Sequence, residues 1–415
     1  MLLIGDIHIT TRMTDRILTM LRDFVDAHPD EDDIVFVGDY VYHFAYDRVA
    51  LFALYELFVE LFEKWKRVYI LAGNHDRIGS SFVYAEAKKA FDLLHSQSKG
   101  KLHFITKPEI HNIDGKEVLF FPYMIEKAGP IPSYNIDNAS TAQQAVHTQV
   151  TSLQDSDNKH EQFSAYINAI LLHYVLKHPD ITIVHHYYTN AIQFPGYRSR
   201  FGFKDIAISE HFLDMTSIRL ISGHVHAPFC HKNYLCVGSI WSTSSLEHNT
   251  IKWLVQYNHD KVDISIQLLN PYRVFEQEWK ENPEHITPDH IQKLYDNILQ
   301  AYRGSYLASD VFTINIEQRP LPSLVHMHVQ ILVDELNYDK LDTYVDQNIL
   351  AQCKDIKLKK HNKAVQDLME QFSASNQKVV TTFSDRKQVL KDYVKSKYPD
   401  DYAKYEEVLQ ELKVI

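Results

Sequence analysis

The chain has 415 residues, of which 45% are hydrophobic and 23% charged, and its formal net charge is −11. This composition is typical of an ordinary globular protein with two or three domains. The acidic total does not indicate a nucleic-acid partner, although a local basic strip or bound metal ions can still meet phosphates. The three cysteines form no Cys-x-x-Cys pair, which argues against a disulfide framework and a zinc ribbon and favours a reducing compartment.

We expect a cytoplasmic protein with no membrane partner. The first apolar run, 1–4, leads directly into a polar motif, so no cleavable signal peptide is expected before the fold. The most apolar helix that the sequence predicts spans 45–66 and carries charged residues along its length. That pattern indicates a packed or amphipathic helix and not a membrane span.

Helical periodicity and strand-like apolar runs alternate through the first half of the chain. Helices are predicted at 15–28, 45–66, 82–96 and 161–178. Such alternation is typical of an α/β fold. Residues 126–160 are poor in large apolar groups and rich in polar ones, so we interpret them as a long, partly mobile surface insertion.

Further strands are expected after the last of these helices, and the pattern changes near residue 270. Strands are predicted at 118–124, 234–237, 251–256 and 262–268, with a hairpin turn at 258–260. Beyond 270 the sequence predicts a helix at 286–303, a strand at 325–332, a mixed polar stretch at 338–373 and a charged helical tail at 385–415.

Five of the strand-like runs end in residues that can bind a metal ion. These residues are Asp6, His8, Asp39, Asn74, His185, His224 and His226. Sites in α/β sheets form at the carboxyl ends of strands, so we expect these side chains to meet at one rim. Mixed nitrogen and oxygen ligands suit divalent transition metals such as Mn, Fe or Zn. A lone motif would be weak evidence for a metal site in a chain with 24 histidines, but five such motifs in this order are specific evidence for one.

These motifs, taken together, resemble the signature of the calcineurin-like metallophosphoesterases over residues 1–226. The matching stretches are Asp6-x-His8, Gly38-Asp39, Gly73-Asn-His-Asp76, His185 and Gly223-His-x-His226. The resemblance implies an α/β fold in which two sheets form a sandwich flanked by helices, with a smaller α+β capping domain and a helical C-terminal tail. It also implies two divalent metal ions, with Mn²⁺ as first choice and Mg²⁺, Fe²⁺ or Zn²⁺ as alternatives.

The resemblance assigns the ligands to two ions. Asp39 would bridge them. The first ion would be held by Asp6, His8 and His226, and the second by Asn74, His185 and His224. His186 is the alternative to His185 in the fourth motif, and His185 is preferred because it comes first off the strand.

Two neighbours of Asn74 have predicted roles in the chemistry. Two metal ions about 3.5–4 Å apart can generate a nucleophile near neutral pH and clamp a phosphoryl group. His75 could then protonate the leaving oxygen, which makes it the predicted general acid. Asp76 is interpreted either as a residue that orients His75 or as a cap for a helix beginning at 77.

Three further features resemble the SbcD-like DNA-repair branch of the family, which includes phage recombination nucleases. The first is a pair of stretches, Phe121-Pro-Tyr-Met124 and Val237-Gly-Ser-Ile-Trp241. The others are the position of the region after 270 and the helical tail. The implied domains are a nuclease domain at 1–270 with the insertion 126–160, a capping and DNA-binding domain at 271–375, and a tail at 385–415. The tail would bind an SMC-like ATPase subunit. The sequence is also compatible with a homodimer.

One departure from that branch concerns its second catalytic histidine. In those nucleases a histidine often follows the bridging aspartate by three positions, but Tyr42 occupies that place here. His43 comes one residue later. We interpret His43 either as the catalytic histidine brought into line by a bulge or as a residue at the start of a helix.

The stretch 196–204 is the predicted DNA contact. Its cations are Arg198, Arg200 and Lys204, and aromatic residues lie between them. Bases can stack on such aromatics while the cations meet phosphates. The alternative is a loop whose aromatics pack on the core.

The sequence is compatible with three functions. The first is a metal-dependent DNA nuclease, exonuclease or endonuclease, that works with an ATPase partner. The second is a small-molecule phosphodiesterase or protein phosphatase with an unrelated accessory domain. The third is a non-catalytic assembly subunit, which the complete ligand set disfavours.

Overall fold

The computed structural model describes the fold over most of the first 270 residues and over shorter parts of the rest. The described residues are 1–11, 14–41, 48–64, 67–78, 81–82, 102–189, 206–241, 251–269, 274–279, 297, 300, 303–317, 328–333, 355–360 and 395. None of the described helices is both long enough and apolar enough to cross a membrane.

Twenty-one strands and four α-helices are described. The strands are β1 (Leu2–Ile4), β2 (Asp33–Phe36), β3 (Arg67–Leu71), β4 (Arg77–Ile78), β5 (Ser81–Phe82), β6 (Leu102–Ile105), β7 (Glu109–Ile113), β8 (Lys116–Phe121), β9 (Thr182–His185), β10 (Tyr188–Thr189), β11 (Ala207–Ile208), β12 (Arg219–Ser222), β13 (Phe229–His231), β14 (Tyr234–Cys236), β15 (Lys252–Asn258), β16 (Asp263–Leu269), β17 (Val274–Trp279), β18 (Leu307–Ala308), β19 (Thr313–Glu317), β20 (His328–Val333) and β21 (Asp355–Lys360). The helices are α1 (Thr14–Asp26), α2 (Arg48–Lys64), α3 (Thr141–Gln154) and α4 (Lys159–Lys177). A 3-10 helix spans Glu210–Asp214.

Two mixed sheets of seven strands form the body of the fold. The first has the order β19-β16-β15-β1-β2-β3-β6, and its strands β1, β2, β3 and β6 are parallel. The second has the order β18-β13-β14-β12-β9-β8-β7, with β14, β12, β9 and β8 parallel. The parallel strands of each sheet end at the same edge, which is where α/β folds place their sites.

The core lies in three layers because alternate residues of each strand face opposite sides of its sheet. In β2, Ile34 and Phe36 pack with α1 and α2, whereas Val35 packs between the two sheets. In β9, Ile183 packs with α4, and Val184 lies between the sheets. The predicted sandwich of two sheets flanked by helices is confirmed.

The helices form where the sequence places apolar residues at helical spacing. In α1 the buried residues are Ile17, Leu18, Leu21, Phe24 and Val25. Burying each such side chain contributes roughly 1.5–3 kcal/mol. The predicted helices 15–28, 45–66 and 161–178 correspond to α1, α2 and α4, whereas the helix predicted at 82–96 lies outside the described residues except for Phe82, which is in a strand.

The long surface insertion predicted at 126–160 contains an ordered helix in its second half. Helix α3 occupies Thr141–Gln154 and packs against α4 through Val146 and Val150. The helix starts with a capping box, in which Ser140 accepts from the Gln143 main chain while the Gln143 side chain accepts from the Ser140 N–H. Such reciprocal bonds satisfy two main-chain donors that a helix end otherwise leaves open.

The two sheets extend beyond the predicted boundary at residue 270. Strand β18 pairs with β13 in the second sheet, and β19 pairs with β16 in the first. Residues 307–317 therefore belong to the sandwich, although the predicted capping domain includes them. A separate parallel sheet of three strands, β17-β20-β21, lies within the predicted capping range 271–375. The tail 385–415 lies outside the described residues apart from Lys395, which is helical.

Candidate metal centre

The loops that follow β1, β2, β3, β9 and β12 meet at one end of the sandwich. The main chain ties them together: His8 N donates to Asp39 O at 2.9 Å, and Gly223 N donates to His185 O at 3.2 Å. These loops carry six of the seven residues that the sequence predicted as ligands, and the seventh, His185, is the last residue of β9. The structure brings six of the seven into two adjoining groups.

The first group consists of Asp6, His8 and His226. Their ligand atoms lie within 4.8 Å of one another. The Nε2 atoms of His8 and His226 are 2.9 Å apart, and His226 Nε2 lies 3.9 Å from Asp6 Oδ2. Asp6 and His8 are fully buried, while the His226 side chain is 22% exposed. The set is the one predicted for the first metal ion.

The second group consists of Asp39, His186 and His224, with Asn74 beside them. The ligand atoms of the first three lie within 4.8 Å of one another. Asn74 Oδ1 lies 2.7 Å from His224 Nδ1 and 3.1 Å from His186 Nε2. An amide oxygen and two imidazole nitrogens thus converge on the Asp39 carboxylate.

Asp39 lies between the two groups. Its Oδ2 is 3.2 Å from His186 Nε2 in the second group and 3.8 Å from His8 Nε2 in the first. The carboxylate is 1% exposed. This position is the one that a bridging ligand needs, because a carboxylate can offer oxygen to two ions at once.

The choice of His185 over His186 is corrected by the structure. His186 Nδ1 lies 2.7 Å from Val37 O, so Nδ1 donates to this carbonyl and Nε2 faces the second group. His185 points to the opposite face of β9, where its ring packs against Tyr234 and its Nδ1 accepts from Tyr187 N at 3.3 Å. Burial, with His186 nearby, lowers the pKa of His185 to about 3.

We expect His186→Ala and His185→Ala to differ in metal content. The His186 variant should lose one of two bound ions, because the second group loses a ligand atom. The His185 variant should keep both ions and show only a lower thermal midpoint, because it leaves a cavity in the packing against Tyr234. Elemental analysis after dialysis against Mn²⁺ measures this difference. Loss of metal from the His185 variant alone would instead identify His185 as the ligand.

The donor atoms of both groups fit divalent metal ions. Asp6 Oδ2 is buried and accepts no hydrogen bond within the described part of the chain. The facing Nε2 atoms of His8 and His226 can share at most one proton, and burial, with His226 close by, holds the pKa of His8 well below its usual range. Neutral imidazoles beside buried carboxylates are the donors that Mn, Fe or Zn prefer.

The charge distribution also favours a cation. Burial would raise the pKa of Asp39, but His186 and His75 hold it well below its usual range. Burial would lower the pKa of His186, but the Asp39 and Asp6 carboxylates raise it to about 9. The buried carboxylates therefore attract positive charge, which a divalent ion would supply.

Three of the grouped residues adopt left-handed main-chain conformations. The φ angles are 42° for His8, 52° for Asp39 and 74° for His224. Residues other than glycine rarely adopt this conformation, and each instance costs on the order of 1–3 kcal/mol. The surrounding hydrogen bonds must offset this strain, and such strain is typical of functional sites.

Asp76 has neither of its two predicted roles. Its buried carboxylate accepts three main-chain N–H bonds, from Asp39 at 2.9 Å, Tyr40 at 2.8 Å and Gly73 at 2.8 Å. It therefore fastens the loop after β3 to the loop after β2. Gly73 permits this close approach, since a Cβ there would lie 2.3 Å from Asp39 N. Asp76 thus positions Asp39, and no local pattern in the sequence indicates so distant a contact.

His75 lies at the opening of the centre. It is exposed, and its ring meets the His8 ring edge-on at a centroid distance of 4.9 Å. Its main-chain N–H donates to Asp39 Oδ1 at 2.8 Å. The imidazole is therefore accessible to a substrate while the main chain is fixed to the bridging carboxylate.

Four predicted site residues cannot be placed. His43, Arg198, Arg200 and Lys204 lie outside the described residues. Their roles remain predictions from the sequence.

A sandwich of two mixed sheets with histidine, aspartate and asparagine donors at the strand ends defines a candidate metallohydrolase. The family model of calcineurin-like phosphoesterases matches residues 1–228, which is more than half of the chain. The protein belongs to the calcineurin-like phosphoesterase family, and hydrolysis of phosphoester bonds with divalent metal ions follows as its class of activity. A comparison with curated proteins found no match.

Proposed function

We propose that this phosphoesterase is a metal-dependent DNA nuclease that hydrolyses phosphodiester bonds at a two-metal centre. The observation that carries the metal-dependent chemistry is the position of Asp39 Oδ2 between the two donor groups. Divalent ions held there would, when bound, supply Lewis-acid activation of water and of the phosphoryl oxygens. Mn²⁺ is the proposed metal.

Groups of the protein around the centre would carry out the remaining steps. Asp76 holds Asp39 through the main chain, and Val37 O fixes the ring of His186. His75 is the exposed imidazole next to the centre and would protonate the leaving oxygen. With these groups in place, a phosphodiester at the opening would have an acid on the leaving-group side.

DNA is proposed as the substrate because the two stretches that resemble the nuclease branch both adjoin the centre. Trp241 Nε1 donates to Ile7 O at 2.6 Å, within the first ligand motif. Tyr123 N donates to Ala72 O at 2.9 Å, just before Gly73. The features that suggest this branch are therefore in direct contact with loops that carry the donors.

The test is a nuclease assay on labelled linear duplex and single-stranded DNA with Mn²⁺, Mg²⁺ or a chelator. Cleavage that needs Mn²⁺ and stops with chelator is expected. His160→Ala, at the exposed start of α4, provides a control that should cleave like the wild type. Turnover of a chromogenic phosphodiester without any cleavage of DNA would instead favour the small-molecule phosphodiesterase.

The proposal includes an SMC-like ATPase subunit that binds the tail 385–415. The tail's apolar residues have the spacing of a helix laid in a groove. We expect a chain ending at 384 to fold and to keep metal-dependent activity on single-stranded DNA. ATP-stimulated cleavage of duplex DNA should disappear together with complex formation. Co-purification assays with the candidate ATPase measure this, and a truncated chain that still binds the ATPase would contradict the docking role.

A further inference from the structure

Lys252 is a buried lysine that the proposed chemistry does not use. It is the first residue of β15 and only 2% exposed. Its Nζ donates to His226 O at 2.8 Å and to Ser239 Oγ at 2.7 Å. An ammonium group is costly to bury unless its protons are bound, so its place next to a ligand loop needs a reason.

Lys252 contacts the loop that contains Gly238 and Ser239, and this loop is hydrogen-bonded to two residues of the first donor group. Strand β15 runs antiparallel to β1, so the start of β15 lies beside the end of β1, where Asp6 follows. Between them, Gly238 O accepts from Asp6 N at 3.0 Å, and Ser239 N donates to His226 O at 3.2 Å. The lysine thus contacts both the serine of this loop and the main chain of a predicted ligand.

His226 is the member of the first group that most needs such support. Asp6 and His8 are fully buried, so neighbouring side chains fix them, but the His226 side chain is 22% exposed. Packing alone therefore constrains its imidazole less. The His226 carbonyl, by contrast, accepts from both Lys252 Nζ and Ser239 N, which anchors the residue through its main chain.

We propose that Lys252 is a positioning residue of the first donor group, holding the His226 main chain so that the imidazole stays beside His8 and Asp6. The inference rests on the proposed two-metal function but not on DNA as the substrate. Residues that support metal ligands from behind typically change metal affinity by about 10–100-fold when replaced.

The experiment is a calorimetric titration of the metal-free full-length protein with Mn²⁺. Wild type is expected to bind two ions. Lys252→Met keeps the length of the side chain but removes the donor, and it should bind one ion as before and the other about 10–100-fold more weakly. Ser239→Ala removes one acceptor of the lysine and the 3.4 Å contact of Ser239 Oγ with His226 O, and it should weaken the same ion to a smaller extent.

Gln256→Leu is the matched control, because Gln256 lies on the same strand and its side chain binds Glu31 at 2.6 Å instead of the centre. It should bind both ions like the wild type. Equal affinities in wild type and Lys252→Met, or equal losses in Lys252→Met and Gln256→Leu, would overturn the role of Lys252. So would a metal-free Lys252→Met protein that is unfolded by circular dichroism while Ser239→Ala binds normally. A wild type that binds no Mn²⁺ would contradict the proposed function itself.

Discussion

Asp39→Ala is expected to reduce phosphodiester hydrolysis to the level that chelator leaves in the wild type. Asp39 Oδ2 lies 3.2 Å from His186 and 3.8 Å from His8, so its loss removes the only carboxylate that the described part of the centre places between the two groups. The substitution also removes the acceptor of the His75 main-chain N–H. Activity and metal content should therefore fall together, which hydrolysis rates and elemental analysis measure.

Asp33→Asn is a suitable control for this variant. Asp33 is also a buried aspartate of the β2 region, but it lies at the other end of the strand and pairs with Arg67 at 2.6 Å. It should lower stability without changing metal content. Near-normal hydrolysis by Asp39→Ala at matched metal loading would show that the bridging position is misassigned.

The placement of the donors at one rim could be predicted from the sequence because it depends on local features. Each buried run is short and ends in a polar motif, and parallel strands bring their carboxyl ends to one edge. Helices α1 and α2 could also be predicted from the sequence, since their apolar residues recur at helical spacing. The capping box at Ser140 and Gln143 was also present in the sequence and would have indicated helix α3.

The choice between His185 and His186 depended on which face of β9 is turned inward. Ile183 and Val184 are both fully buried, one against α4 and one between the sheets. A strand covered on both faces has an unbroken apolar pattern, so the sequence carries no sign of which side chains face the other sheet. His186 shares the inward face with Val184, and this packing places it in the second group.

The role of Asp76 and the extent of the sandwich depended on contacts between distant parts of the chain. Asp76 is 37 residues from Asp39, whose N–H it accepts. Strand β19 joins β16 across an interval that includes the separate strand β17. Neither pairing has a local pattern, because register between strands far apart in sequence is set by packing.

His75→Ala should keep both metal ions and lose hydrolytic activity by about a hundredfold or more, the contribution typical of a positioned general acid. Metal should be kept because the residue holds Asp39 through its main-chain N–H, which the substitution leaves in place. The loss should be smaller for a p-nitrophenyl phosphodiester, whose leaving group needs no proton. His111→Ala, a partly buried histidine of β7 that pairs with Glu109, serves as a control and should show wild-type rates. Steady-state rates on both substrates and elemental analysis test the assignment. A His75 variant that binds fewer ions, or one that loses the same activity on both substrates, would make His75 a ligand or a structural residue and not the acid.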